Sequence, residues 1–183
     1  LIICFSRNAC FTYLRGNNKK DVMQFRDVIG QQDIKQRLVN SFHDGRISHA
    51  QLFIGPEGNG NLALALAYAQ FINCPHKTHD DSCGTCPSCR KFRNLIHPDL
   101  HFVFPIVNKK KDGTVSDHFI AEWRKINADK KSYFGFNDWL DYMDAEDKQG
   151  SIQKSESSEI IRKLNLKVFE AQYKTMVIWM VEK

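Results

Sequence analysis

Gly55-Pro56-Glu57-Gly58-Asn59-Gly60-Asn61-Leu62 follows a short apolar run, Ala50 to Ile54, and leads into an Ala- and Leu-rich run, Leu62 to Ile72. The order reads as a buried strand, a glycine turn and a buried helix. Gly55 and Gly60 stand at the separation of a G-x-x-x-x-G-K-[ST] phosphate loop, with Gly58 between them. The two residues that carry the chemistry of such a loop are replaced: Asn61 holds the lysine position and Leu62 the Ser/Thr position. An amide puts no charge on β- and γ-phosphates, and leucine offers no oxygen to Mg²⁺. The loop therefore has the shape of a phosphate site and lacks its chemistry. The plainer reading of Gly55, Gly58 and Gly60 is a tight strand-to-helix turn, whose helix N-terminus attracts at most a stray anion.

The surrounding pattern is that of an α/β domain. Upstream, Ile34, Leu38 and Phe42 recur at helical spacing, and Gly45 is placed to end that helix. Downstream, a short helix is expected around Lys91 to Leu95 and a second strand over His101 to Pro105. Ser157 to Phe169 reads as an amphipathic helix, with Ile160, Ile161, Leu164 and Val168 on one face. Lys174 to Val181 reads as a third strand, apolar and hence central and parallel. Strands alternating with helices predict a parallel sheet flanked by helices. Residues 108–153 interrupt this alternation with a polar, charged stretch through which Trp123, Phe134, Phe136, Trp139 and Tyr142 are scattered. They read as an insertion of one or two helices, with Phe119, Trp123 and Ile126 sharing a face.

Cys74, Cys83, Cys86 and Cys89 fall within one short segment, 74–89. C-x-x-C spacing lets two thiolates reach one ion from a single turn, and Gly84 and Pro87 permit the turns such a knuckle needs. Four thiolates favour tetrahedral zinc and leave no open position, so the ion would be structural. Two overlapping pairs plus a fourth cysteine point away from a thioredoxin-like redox site. His76 and His79 lie in the same loop as substitute ligands, and Cys4 and Cys10 have no evident role. Metal-ligand spacing argues for a reducing, cytoplasmic setting.

Of 183 residues, 42% are hydrophobic and 26% charged, the balance of an ordinary globular chain. The net charge of +5 permits a nucleic-acid partner without requiring one. No apolar run approaches the roughly 20 residues that span a bilayer. Residues 1–22 begin without Met and show no clear periodicity; they read as an upstream extension, either non-native or from a misassigned start. The apolar run Met176 to Val181 lies at the other end, and 23–183 reads as the N-terminal part of a longer protein.

The succession of strand, G-P-x-G-x-G loop, helix and four-cysteine module resembles the clamp-loader subunits of bacterial DNA polymerase III, members of the AAA+ family. Phe25-Arg26-Asp27-Val28-Ile29-Gly30-Gln31 is similar to the family's opening F-x-x-[IV]-[IV]-G-Q. Arg46-Ile47-Ser48-His49-Ala50-Gln51-Leu52-Phe53 is similar to its R-[LI]-x-H-A-x-L-F, and His97-Pro98-Asp99 to its [HN]-P-D. The resemblance covers Met23 to Pro105 and resumes near Ser157. It implies an AAA+ P-loop NTPase-like parallel sheet with an inserted zinc module. It also makes Val181 and Glu182 the counterparts of the Walker B Asp and Glu. The loop lysine, the loop Ser/Thr and the Walker B Asp are then all absent, a combination hard to reconcile with phosphoryl transfer. Within the family this pattern resembles the delta-prime type. That type implies no productive ATP binding and no ATPase of its own. It also implies assembly with gamma/tau and delta subunits in a hetero-pentamer, and action on the sliding clamp and primer-template DNA through the complex. An arginine-finger Ser-Arg-Cys motif and a C-terminal domain would follow Lys183.

Two other readings are open to the same residues. An active gamma/tau-type ATPase would need a substitute cation, and Lys109 to Lys111 are the nearest basic run. A nucleic-acid module would use the zinc knuckle and the interleaved aromatics and bases of 108–153 as a stacking surface. The acids there, including Asp138, Asp141, Asp144, Glu146 and Asp147, offset the bases, so a local core or a protein contact is the simpler role for the aromatics.

Overall fold

The computed structural model describes residues 2–6, 23–107, 114–145 and 148–183. Four strands form one sheet, all pairings parallel: β1 (Ile2–Ser6), β2 (Ala50–Ile54), β3 (Leu100–Val103) and β4 (Thr175–Ile178), in the order β2-β1-β4-β3. The helices among the described residues are α1 (Gln32–His43), α2 (Asn61–Ile72), α3 (Pro87–Arg93), α4 (Ile120–Lys130), α5 (Phe136–Tyr142) and α6 (Ser155–Asn165). The α/β reading of the sequence thus holds, with a small parallel sheet.

Parallel strands buried on both faces read as unbroken apolar runs. β4 fits this description, with Thr175, Met176 and Val177 buried and a parallel neighbour on each side. The sheet also takes in β1, from the 1–22 segment in which the sequence shows no periodicity. Ile2 pairs with Ala50 on one side and Met176 on the other. A short apolar run alternates with nothing, so its strand character has no periodic signal.

α2 is buried on every side, from Leu62 to Ile72. Its Ala and Leu content gives no polar face, and a helix hydrophobic all round belongs inside a core. It packs on α1, α3 and the sheet. Phe25 and Phe42 close on Phe71, with ring centroids 5.4 and 5.1 Å away.

The insertion is a closed excursion whose ends meet where Ile106 and Ser151 exchange backbone hydrogen bonds of 3.0 and 3.1 Å. Its aromatics continue the main core. Trp123 and Trp139 are fully buried. Trp123 stacks on Phe104 at 4.2 Å, and the Trp139 indole N–H donates to the Pro105 carbonyl at 2.8 Å. Lys109 to Lys111, Glu146 and Asp147 lie outside the described residues.

Two elements are shorter than their sequence pattern. The helix expected over Ser157 to Phe169 is α6, which ends at Asn165, leaving Val168 and Phe169 exposed. The helix ends where Leu166 turns to extended backbone at ψ 144°, and further on the Asp99 carboxylate accepts the N–H groups of Phe169, Glu170 and Ala171 at 2.7, 2.8 and 2.9 Å. The strand expected over Lys174 to Val181 is β4, which ends at Ile178. Trp179 still donates to the Val103 carbonyl at 2.8 Å, and Met180 then turns the chain through a left-handed conformation at φ 55°.

Candidate functional site

The glycine loop connects β2 to α2 as the sequence order requires. Gly58 and Gly60 adopt φ of +78° and +89°, a region that L side chains rarely enter, so glycine here is a backbone requirement. The Asn59 side-chain oxygen accepts the Asn61 N–H at 3.1 Å, and the side chains of both asparagines crowd over Gly55. The Gln31 amide reaches the Asn59 carbonyl at 2.7 Å, tying the opening F-x-x-[IV]-[IV]-G-Q stretch to the loop. Leu62, at the Ser/Thr position, is buried.

The cavity over the loop is walled in part by groups that the sequence pattern does not single out. Ser132 and Phe134 from the insertion, and Trp179 and Met180 from beyond β4, complete its wall, leaving a volume of about 30 Å³. That is room for a water or two. Phe134 lies 5.2 Å from Trp179 and 5.5 Å from Trp123, ring to ring. Among the described residues no Lys or Arg lines the cavity, and Glu57 is the ionisable residue in its wall. Lys35, on α1, spends its ammonium on the Val28 carbonyl at 2.6 Å, and burial holds its pKa below the usual lysine value. Val181 and Glu182, the expected Walker B positions, sit in the turn after β4. They are exposed and are not part of the cavity wall.

The other end of α2 leads through Asn73 to the cysteine cluster. Cys74 Sγ lies 3.5 Å from Cys83 Sγ and 4.0 Å from Cys86 Sγ, with Cys83 and Cys89 sulfurs 3.9 Å apart. All four sulfurs fall within 4.8 Å of one another. Four sulfurs around one ion at a bond length of ~2.3 Å stand about 3.8 Å apart, so the set can hold a tetrahedral metal. Backbone N–H groups of Cys83, Cys86 and Cys89 point at Cys74, Cys83 and Cys86 sulfurs at 3.3, 3.4 and 3.4 Å. Burial pushes the Cys83 thiol up, but N–H donors from Thr85 and Cys86 and the Thr85 hydroxyl outweigh it and bring the pKa to about 6. Burial holds Cys74 and Cys89 above the ordinary thiol value. A cation among them supplies the charge that burial withholds. His79 is not in this set; its ring stacks on His43 at 4.5 Å and its Nδ1 pairs with Asp80 at 2.7 Å.

The cysteine loop is bolted to the opening stretch. The Asp81 carboxylate accepts the Phe25 and Arg26 N–H groups at 3.0 and 3.2 Å, and the Gln24 amide donates to the Ser82 carbonyl. The insertion aromatics are spent on the core and on the glycine loop: Phe134, Phe136, Trp123 and Trp139 are all buried. The residues missed by sequence reading, Glu57, Tyr133, Phe134, Trp179 and Met180, carry one faint signal. Aromatic residues at such density in a polar segment need a core to enter.

A strand, a glycine loop and a buried helix on a parallel sheet define a P-loop-type α/β domain. The chain belongs to the family described as "DNA polymerase III, delta subunit", whose sequence profile matches residues 30–183, and so to the clamp-loader AAA+ group. Subunit tau of Bacillus subtilis is 38% identical over 71 residues, 39% of this chain and 13% of that protein. Subunit delta' of the same species is 37% identical over 75 residues, 41% of this chain and 22% of that protein. Subunit tau/gamma of Haemophilus influenzae is 39% identical over 76 residues, 42% of this chain and 11% of that protein. The match thus spans less than a quarter of the length of these curated relatives. Among the described residues no helix is long and apolar enough to cross a membrane.

Proposed function

We propose that the chain is a delta-prime-type clamp-loader subunit, a scaffold that does not hydrolyse ATP itself. The observation that carries this reading is Asn61 and Leu62 standing where a working loop has Lys and Ser/Thr, on a correctly formed strand–loop–helix. The lack of a cation in the wall among the described residues supports it, since phosphoryl transfer is catalysed almost entirely by positioning and charge. Val181 at the Walker B Asp position removes a further metal contact. The cysteine cluster holds one structural zinc through Cys74, Cys83, Cys86 and Cys89, which leaves no position open for catalysis. In this reading the partners are gamma/tau and delta subunits in a cytoplasmic hetero-pentamer, with the sliding clamp and primer-template DNA reached through the complex.

The test is equilibrium dialysis of the full-length protein against ATP and Mg²⁺, together with phosphate release alone and after mixing with gamma/tau and delta subunits. The expected result is no saturable ATP binding up to millimolar concentration and no phosphate release by the subunit alone. It should nonetheless enter a complex that hydrolyses ATP. Micromolar ATP binding that is lost on altering Gly58 and Gly60 would refute the reading and favour a gamma/tau-type ATPase.

A further inference from the structure

The insertion crosses the glycine loop at Ser132 to Phe136, and its fit there is specific. The chain leaves α4 through two successive left-handed residues, Lys131 and Ser132, at φ 51° and 60°. Each costs on the order of 1 kcal/mol for a non-glycine residue. The turn is held in compensation: the Ser132 hydroxyl donates to the Asn127 side-chain oxygen at 2.7 Å, and the Tyr133 N–H to the Lys130 carbonyl at 2.9 Å.

Residues 133–136 lie on the loop from end to end. The Tyr133 ring is so close to Gly60 that a Cβ there would stand 2.6 Å from Cε1. The Tyr133 hydroxyl oxygen accepts the Ile29 N–H at 2.9 Å, bridging the loop to the opening stretch. Phe134 enters the cavity against Trp179. The Glu57 carboxylate, from within the glycine loop itself, accepts the Phe136 N–H at the start of α5 and packs on Gly135. Loop and insertion therefore hold each other by side chains contributed from both sides.

We infer that Ser132 to Phe136 is a built-in strap that occupies the nucleotide site and closes it sterically. This deepens the reading above and rests on it: the site is disarmed by Asn61 and Leu62 and, independently, filled. A triphosphate laid on the glycine loop would have to share its cleft with Ser132 and Phe134, and the Tyr133 ring already covers Gly60. Restoring Lys and Thr to the loop then does not restore binding while the strap is in place.

The experiment uses full-length protein and a fluorescent ATP analogue with Mg²⁺, read alongside amide hydrogen exchange of residues 132–136. Asn61→Lys/Leu62→Thr is expected to bind no better than the unaltered chain. Adding Tyr133→Ala and Glu57→Ala to that pair should speed exchange at 132–136 at least tenfold and raise nucleotide affinity at least tenfold. Tyr133→Phe in the same background keeps the ring on Gly60 and should give no gain. Tight binding by Asn61→Lys/Leu62→Thr with 132–136 still protected overturns the strap and leaves the proposed function standing. Binding by the unaltered chain overturns both. The strap also fails if 132–136 exchange freely in the unaltered protein. It fails equally if the four-fold variant shows no affinity gain, whether or not those amides have become exchangeable.

Discussion

Asp99→Asn tests how the end of the sheet is anchored. Asp99 is buried, and its two oxygens take three backbone N–H groups from residues 169–171, the segment that delivers the chain to β4. Asparagine keeps one acceptor oxygen. Placed to retain Glu170 and Ala171, it turns an NH₂ group toward the Phe169 N–H and removes the charge from the other two bonds. An orphaned donor costs ~1–3 kcal/mol, and exchanging a charged for a neutral acceptor costs roughly 1 kcal/mol per bond. The total is about 3–5 kcal/mol, which lowers the melting temperature by about 6–20 °C in a chain of this size. Acid supplies a second arm. Burial pushes the Asp99 carboxyl up, but the Glu170, Phe169 and Ala171 amides and then His97 outweigh it, holding its pKa below the ordinary 3.8. A depressed folded pKa contributes stability that is fully present above the unfolded value and is lost as pH falls through the folded one. Urea unfolding followed by circular dichroism should therefore show the full gap between wild type and variant at neutral pH. The gap should narrow once the pH drops below about 4. A gap under ~0.5 kcal/mol at neutral pH, within ordinary surface-substitution noise, would refute the argument, as would one indifferent to acid.

Cys89→Ser should abolish stoichiometric zinc in elemental analysis and make the melting temperature insensitive to added metal; retention of a full equivalent would show that three thiolates suffice. Trp123→Ala, which vacates a site touching Phe104, Phe134, Trp139 and Trp179, should cost ~3–5 kcal/mol by urea unfolding. A loss below ~1 kcal/mol would mean that the site collapses to fill the void. Gly60→Ala and Gly58→Ala share a left-handed backbone penalty of ~1–2 kcal/mol, but only the former meets a neighbour, Tyr133. Gly60→Ala should therefore melt measurably lower, and equal melting would deny the Tyr133 contact.

Legibility in the sequence tracks periodicity and spacing. α1 and α2 are readable because their apolar residues repeat or run unbroken. β2 forms over Ala50 to Ile54 as expected, but as an edge strand with Leu52 and Ile54 exposed and not as the buried strand its apolar content suggests. The cysteine cluster is readable because thiolate spacing is itself geometry. β1 is not, since a short apolar run carries no period to detect. The ends of α6 and β4 are overrun because Val168 and Val181 continue the local pattern, while the backbone turns extended at Leu166 and left-handed at Met180. At the candidate site, Gly55, Gly58, Gly60, Asn61 and Leu62 stand out by pattern. Tyr133 and Phe134 do not, because the contact joins residues more than seventy positions apart through an insertion with no motif.

α2 carries the glycine loop on one end and Cys74, just past its C-terminal cap, on the other. Its twelve residues make a rod of about 18 Å. Because no side of the rod faces solvent, it cannot bow or slide without disturbing close-packed neighbours. The glycine loop and the cysteine cluster are therefore held at a fixed separation, so that the geometry of one end constrains that of the other.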